Sequence, residues 1–478
     1  MMFCAGFAAI IESRLYDWRS RKEGDVTGFA KIHLITGWLP LSLFTATGVC
    51  LVIVLALALL GRRARSLLRE IIIGCVCMAA GGLLIWLLSD VFMVFGVSVG
   101  WEVMLSVAVS CAIIGMAITA LIDSHGVRKV FAIILIPLVV FSCALQIDMI
   151  YGEYTTLASI IGKPEYKDLN DGTLHTASMS VAEWKCLAAR NDLPAMPKSG
   201  IVRSVDIPAT SSGFAARKAN VYLPPAALSK RSPALPVMIM MSGQPGSPDR
   251  FFSASRIADS LNAFAAAHHG LAPIVVSPDQ NGSVLHNSLC SNTDVYGNAK
   301  TYLTVDVTRW ISSHLPAAKA GEQWMIGGFS QGATCSTQLG PANPRLYGFI
   351  FSVGGELEPT SESRAHTIER FFHSDAAAYK KNVPLSIIAK HAPSTQTYFA
   401  AAGQWDTESQ RNQATIGQAA KEAGMSVTTL VVSDAGHDWH SVQAALRPAI
   451  DLFCQRTGLG GEMKPLQQYP RLRVVQVP

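Results

Sequence analysis

The hydrophobic pattern divides this chain near residue 150. Before that point Trp38–Gly61, Ile71–Leu88, Val103–Ile122 and Val130–Ile147 are apolar and nearly free of charge. Each is close to the length that crosses a hydrocarbon core of about 30 Å. Helices buried in a soluble domain would not keep runs this long uncharged with basic residues at their ends, so the pattern predicts four membrane-spanning helices. After residue 150 the apolar runs become short. Leu235–Met241, Ile274–Val276, Gln323–Ile326, Phe349–Val353, Thr397–Ala402 and Thr428–Val432 read as buried strands. Helix-compatible stretches such as Tyr302–Leu315, Ala333–Leu339 and Ser441–Leu446 fall among them, and Leu385–Ala389 continues the alternation. Such alternation predicts a largely parallel sheet covered by helices on both faces.

The expected organisation is a tail over 1–34, a transmembrane region over 35–150 with spans at about 38–61, 71–88, 103–122 and 130–147, and a polar linker over 151–199. A large α/β domain over 200–457 and an irregular tail over 458–478, punctuated by Pro465, Pro470 and Pro478, complete it. Composition fits a chain that is part membrane protein. Hydrophobic residues make up 50% of the 478, and the mean hydropathy of +0.29 is high for a soluble protein. Met1–Ile11 is apolar but has no basic segment ahead of it, so a cleavable signal peptide is not expected.

Charge orients the spans. Arg62, Arg63, Arg65 and Arg69 lie after the first span and Arg128 and Lys129 after the third, whereas the loop Ser89–Trp101 has no Lys or Arg. Loops rich in Lys and Arg stay in the cytoplasm, so residues after 150 are expected outside. Arg14, Arg19, Arg21, Lys22 and Lys31 of the tail run against this orientation. The net charge of +5 is small and dispersed, which argues against nucleic-acid binding.

The chemistry is concentrated in Gly328-Phe329-Ser330-Gln331-Gly332, a G-x-S-x-G pentapeptide between a strand and a helix. That setting makes it a nucleophile elbow, a sharp turn that lifts the Ser330 hydroxyl above the sheet and aims a helix N-terminus at the site. A serine nucleophile needs a base and an orienting acid, which follow it in the order acid, then histidine. His437, in Ala435-Gly436-His437-Asp438-Trp439 after a strand, is the expected base, with His440 as the nearest competitor. Asp406, in Gly403-Gln404-Trp405-Asp406 after another strand, is the expected acid; Glu408 and Asp434 compete, and Asp406 reads equally as a helix N-cap. The oxyanion hole needs two backbone N–H groups. Gln331 supplies one by position, and Gln244, in Ser242-Gly243-Gln244-Pro245-Gly246 after the Leu235–Met241 strand, is the choice for the other.

Of ten cysteines, Cys4, Cys50, Cys75, Cys77, Cys111 and Cys143 fall in or near the membrane part and are expected as buried apolar thiols. Cys186, Cys290, Cys335 and Cys454 fall in the domain expected outside, where disulfides are permitted; the sequence leaves their pairing open. Without an HExxH helix, paired C-x-x-C, EF-hand loop or P-loop, neither a metal nor a cofactor is expected.

Taken in order, Leu235-Pro236-Val237, Ser242–Gly246, Gly328–Gly332, Gly403-Gln404-Trp405-Asp406 and Gly436-His437-Asp438-Trp439 resemble the esterase-D and mycolyltransferase branch of the α/β-hydrolases over roughly residues 200–455. The resemblance implies His437 as the catalytic histidine and Gln331 and Gln244 as the oxyanion donors; the acid varies in that family, some members using Glu. Tyr151–Leu157 and Asn220–Pro225, with the four spans, resemble a membrane-anchored subgroup in bacteria with mycolate-type envelopes. The function expected is therefore a multi-pass membrane protein with an extracytoplasmic serine esterase or acyltransferase domain. Its partners would be the membrane and lipid or glycolipid esters of the envelope. The competing reading is a non-catalytic membrane scaffold with a hydrolase-like binding domain. Hydrolysis and acyl transfer are not distinguished by these residues.

Overall fold

The computed structural model describes residues 32–475 apart from 62–63, 93, 95–97, 161–165, 170–171 and 173–174. The tail charges Arg14–Lys31, the loop residues Arg62 and Arg63, and Cys4 lie outside the described residues. The chain forms two compact units, Met1–Lys163 and Pro164–Pro478.

In the first unit four helices are long and apolar enough to cross a membrane. They are α1 (Trp38–Leu60), α2 (Ala64–Trp86, ending in a π turn at Leu87–Val91), α3 (Trp101–Asp123) and α4 (Val127–Tyr151). α1 ends one residue short of its expected span, with Gly61 as its cap, and the other three contain theirs, α2 together with its π turn. α2, α3 and α4 run on into charged residues at their ends, because backbone bonding continues where the apolar run stops. Leu41, Val52, Leu84, Ile122 and Phe141 are all more than half exposed, a surface that water would not tolerate but lipid would. α2 and α3 approach closely through glycines: a Cβ on Gly81 would stand 2.6 Å from Cys111 Sγ, and one on Gly115 2.7 Å from Cys77 Sγ. The cysteines here are less buried than expected. Cys50 is buried, but Cys75 is exposed and Cys77, Cys111 and Cys143 are intermediate, because they face helix surfaces rather than a closed core.

Arg128 and Lys129, expected in a loop, sit in the first turn of α4. Arg128 is buried and its Nη2 donates to both oxygens of Glu70, at 2.6 and 2.7 Å, while its Nε donates to the Val54 carbonyl at 3.0 Å. Glu70 itself is fully enclosed. Nearby Arg69 pairs with Asp123.

The second unit is built on a nine-stranded sheet. Its strands are β1 (Ile201–Val205), β2 (Ala219–Leu223), β3 (Val237–Met241), β4 (Ile274–Ser277), β5 (Gly321–Phe329), β6 (Tyr347–Val353), β7 (Thr397–Gly403), β8 (Ser426–Val432) and β9 (Leu472–Val475). Their order in space is β1-β2-β4-β3-β5-β6-β7-β8-β9. From β4 to β8 neighbours are parallel, and antiparallel pairs close both ends. β3, β4 and β7 are buried along their whole length. That is why they read as unbroken apolar runs: strands covered on both faces show no alternation. Three helices matter for the site, α5 (Gln331–Ala342), α6 (Thr407–Glu422) and α7 (Trp439–Arg456).

The segments expected as a linker and as an irregular tail both contribute to this unit. Within 151–199, Val181–Ala189 is a helix held by a Ser180/Glu183 capping box, and its Trp184 is buried in the sheet's core. Within 458–478, β9 pairs with β8, and Leu459 is buried. The run Leu472-Arg473-Val474-Val475 is too short for periodicity to reveal; its strand form comes from an open sheet edge.

Candidate active site

The site is assembled at the carboxyl ends of β3, β5, β7 and β8, where open parallel sheets place their ligands. Ser330 follows β5 with φ 55° and ψ −117°, a strained backbone for a residue with a Cβ. The surrounding structure enforces it. The Ser330 N–H donates to the Val353 carbonyl of β6 at 2.9 Å. A Cβ on Gly328 would lie 2.5 Å from the Met241 oxygen, and one on Gly332 2.3 Å from the same oxygen, so only glycine lets β5 and α5 press against the end of β3.

The three residues expected to act together are in one hydrogen-bonded chain. Ser330 Oγ donates to His437 Nε2 at 2.8 Å, and His437 Nδ1 donates to Asp406 Oδ2 at 2.7 Å. Asp406 satisfies both readings of its position. Its Oδ1 accepts from the Ser409 N–H at 3.1 Å as the N-cap of α6, leaving Oδ2 for the histidine. Glu408 and Asp434 are exposed, and His440 lies in the first turn of α7. The His437 side chain is 11% exposed against 5% for Asp406, so the base is open to a ligand while the acid is enclosed. The ring rests against Phe329, with centroids 5.0 Å apart, and Gly354 leaves it room: a Cβ there would stand 2.9 Å from His437 Cε1.

Burial alone would lower the pKa of His437, but the charge and hydrogen bond of Asp406, with smaller contributions from Glu356 and Asp438, outweigh it and the net shift is upward. Burial likewise opposes ionisation of Asp406, and the His437 charge and the bonds from His437 and Ser409 reverse it, holding the carboxyl below its ordinary value. Burial pushes Glu356, which follows Gly354-Gly355 at the end of β6, up to about 7 against the opposing influence of His437.

Gly243 lies over the nucleophile: a Cβ on it would be 3.2 Å from Ser330 Cβ. Gln244 follows Gly243 directly in the chain, and Gln331 opens α5 directly after the nucleophile. The loop carrying Gln244 is held at both ends. Gln280 Nε2 donates to the Ser242 carbonyl at 2.7 Å, and Arg217 Nη2 donates to the Gly246 carbonyl at 3.0 Å, while the Nη2, Nε and backbone N–H of Arg217 all donate to the buried Asp279. The Gln331 side chain joins the same framework. Its Oε1 accepts from Asn281 Nδ2, and its Nε2 donates to Asn281 Oδ1 and Asn287 Oδ1, each at 2.8 Å. Sequence reading missed Gln280, Asn281, Asn287 and Glu356. The signal for the first two was available: Asp279-Gln280-Asn281 is a polar run just past the end of β4, where a site is expected. The disulfide that the sequence left open joins Cys290, in the loop after this run, to Cys335 in α5; Cys186 is exposed and Cys454 buried, both as free thiols.

A positive-φ serine between strand and helix, with an acid and a histidine delivered by loops after later strands, defines an α/β-hydrolase. Residues 215–450 match the family model of putative esterases. An uncharacterized protein of Corynebacterium glutamicum is 30% identical over 346 residues, covering 70% of this chain and 78% of its own. The chain belongs to the putative esterase family. Solved structures similar to it include a ferulic acid esterase (15% identity, TM-score 0.45, covering 54% of this chain and 98% of that one). An S-formylglutathione hydrolase from Agrobacterium tumefaciens (16%, 0.45, 55% and 99%) and MPT51 of Mycobacterium tuberculosis (16%, 0.40, 54% and 98%) are also among them.

Proposed function

We propose that this protein is a membrane-anchored serine esterase or acyltransferase that acts through an acyl-enzyme on lipid or glycolipid esters of the cell envelope, of the mycolate type. The observation that carries the catalytic part is the continuous chain Ser330–His437–Asp406 at 2.8 and 2.7 Å. Ser330 Oγ attacks the ester carbonyl as His437 Nε2 takes its proton. Asp406 holds the ring in the required tautomer and stabilises the imidazolium that forms. The amides of Gln331 and Gln244 receive the oxyanion. The imidazolium then protonates the leaving alcohol, and water or a second hydroxyl resolves the acyl-enzyme by the reverse path. A non-catalytic scaffold would have no use for a strained serine held against a paired histidine.

Incubating the purified chain with envelope lipid extracts tests the substrate class by mass spectrometry. Acyl loss or acyl transfer among lipids is expected, and lipids unchanged beside ready cleavage of a short soluble ester would remove the lipid assignment. For location, Arg65, Arg69, Arg128 and Lys129 cluster where α2 and α4 begin, and the opposite loop carries no Lys or Arg, which supports an extracytoplasmic hydrolase domain. The Cys290–Cys335 disulfide fits an oxidising compartment. Alkaline phosphatase fused after residue 478 should be active and green fluorescent protein dark; the reverse pattern would place the domain in the cytoplasm.

The pH profile follows from the direction of the His437 shift. The base works only when neutral, so activity is present above its pKa and lost as pH falls through it. Because that pKa is raised, the acid limb of kcat/KM should lie above the ordinary histidine value of about 6.5. Glu356→Gln removes a carboxylate that favours the imidazolium and should move the limb to lower pH while leaving the plateau largely intact. A limb unmoved in Glu356→Gln would separate Glu356 from the titration of the base.

A further inference from the structure

The four-helix unit contains a cleft that an anchor has no need of. α4 packs along both α1 and α3, while α1 and α3 scarcely touch each other. Over one half of the bundle the gap between them is closed by small side chains, with Ala117 and Ala120 of α3 and Ala132 of α4 fully buried against Val54 of α1. Over the other half it stays open as a cleft of about 470 Å³, within the roughly 300–1,000 Å³ of small-molecule sites.

Its lining has an order. Glu102, Ser106 and Ser110 recur one turn apart on α3, and Ile113 ends that row. Gln146, Ser142 and Val139 form the facing row on α4. From Glu102 to Ile113 the cleft is about 16 Å deep at about 1.5 Å per residue, half of a hydrocarbon core of about 30 Å. Its polar groups are graded along that depth. The inner hydroxyls are satisfied within the bundle: Ser110 and Ser106 donate to carbonyls one turn back, and Thr47 pairs with Ser142 at 2.8 Å. At the mouth, no hydrogen bond among the described residues takes up the Glu102 carboxylate or the Gln146 amide. The mouth is at the end of the bundle where α4 finishes and the chain continues toward residue 164.

Unpaired polar groups on membrane-facing helices are costly and mark binding sites. We propose that this cleft binds one membrane lipid of a single leaflet, its acyl chain lying between α1 and α3 and a neutral, hydroxyl-bearing headgroup at Glu102 and Gln146. The carboxylate accepts from head hydroxyls and the amide both donates and accepts, whereas a phosphate head would meet the negative charge of Glu102. A glyceride or glycolipid fits; an anionic phospholipid does not. The inference rests on the membrane-spanning reading above and extends it, because it gives the spans a ligand.

The test uses the full chain carrying Ser330→Ala, to prevent turnover, in phosphatidylcholine bilayers. Two photocrosslinking lipids share one diazirine-bearing acyl chain, one with a glycosylglycerol head and one with a phosphatidylglycerol head. Peptide mapping should find the glycolipid adduct on 102–113 and 139–150, with α2 labelled about tenfold less, as a site favoured by roughly 1.4 kcal/mol produces. The phosphatidylglycerol probe should label that site weakly. Ser110→Trp, which fills the cleft, should abolish the site-specific adducts, and Glu102→Gln, which removes the charge, should equalise the two headgroups. Even labelling around all four helices of the Ser330→Ala chain would overturn the proposal without any cleft variant, as would equal labelling by the anionic probe. Hydrolysis of a short soluble ester by the unaltered chain reports the catalytic reading separately, so failure of one leaves the other standing.

Discussion

Ser330→Ala is expected to lower ester turnover by about 10⁴- to 10⁶-fold and to abolish labelling by a fluorophosphonate probe. The size of the effect follows from the geometry. The hydroxyl is the only group of the hydrogen-bonded chain that can form a bond to the acyl carbon, and His437 and Asp406 have nothing to activate once it is gone. What survives is the contribution of binding and of the Gln244 and Gln331 amides. Because the chain acts as a unit, His437→Ala should be about as damaging, and the double variant little worse than either alone. Normal turnover by Ser330→Ala would end the catalytic assignment. Loss of activity in His440→Ala with His437→Ala intact would move the base by three residues. Circular dichroism of each variant checks that the fold survives, as it should, since neither substitution opens a core cavity.

Glu70→Ala should destabilise the four-helix unit by about 3–5 kcal/mol, the cost of leaving a buried charge without its partner. Arg128 is buried, and its Nη2 gives two bonds to the Glu70 carboxylate. Removing the anion leaves the guanidinium with the Val54 carbonyl as its remaining described acceptor. Replacing both residues, Glu70→Leu with Arg128→Met, should recover most of the loss, because paired burial costs desolvation that an apolar pair avoids. Denaturant titration of the unit in detergent micelles gives the measurement. An unchanged midpoint in Glu70→Ala would show that the pair is solvated and contributes little. Soluble-ester hydrolysis should respond far less than the midpoint, since the pair belongs to the other compact unit.

The sequence determined the parts whose signal is local. Four uncharged runs long enough to span a bilayer can be read from length and composition alone, and the helices cover them to within one residue. The elbow was legible because strand, glycine, serine, glycine and helix are contiguous, and because glycines at 328 and 332 are required by contacts that any α/β-hydrolase elbow makes. Asp406 and His437 were expected from their places after strands downstream of the serine, but nothing local decided between Asp406, Glu408 and Asp434. β7 and β8 run parallel with Gly403 opposite Val432, so the loops carrying Asp406 and His437 leave the sheet side by side. Asp406 then turns inward as the cap of α6, while Glu408 and Asp434 point to solvent, a choice that depends on register between strands. The Cys290–Cys335 pairing, the amide framework around Gln331 and the Glu70–Arg128 pair likewise join residues far apart in the chain. Apart from the polar run Asp279-Gln280-Asn281, nothing local distinguishes those residues from their neighbours. Their partners are chosen by packing, and packing exists only once the sheet and the helices have closed.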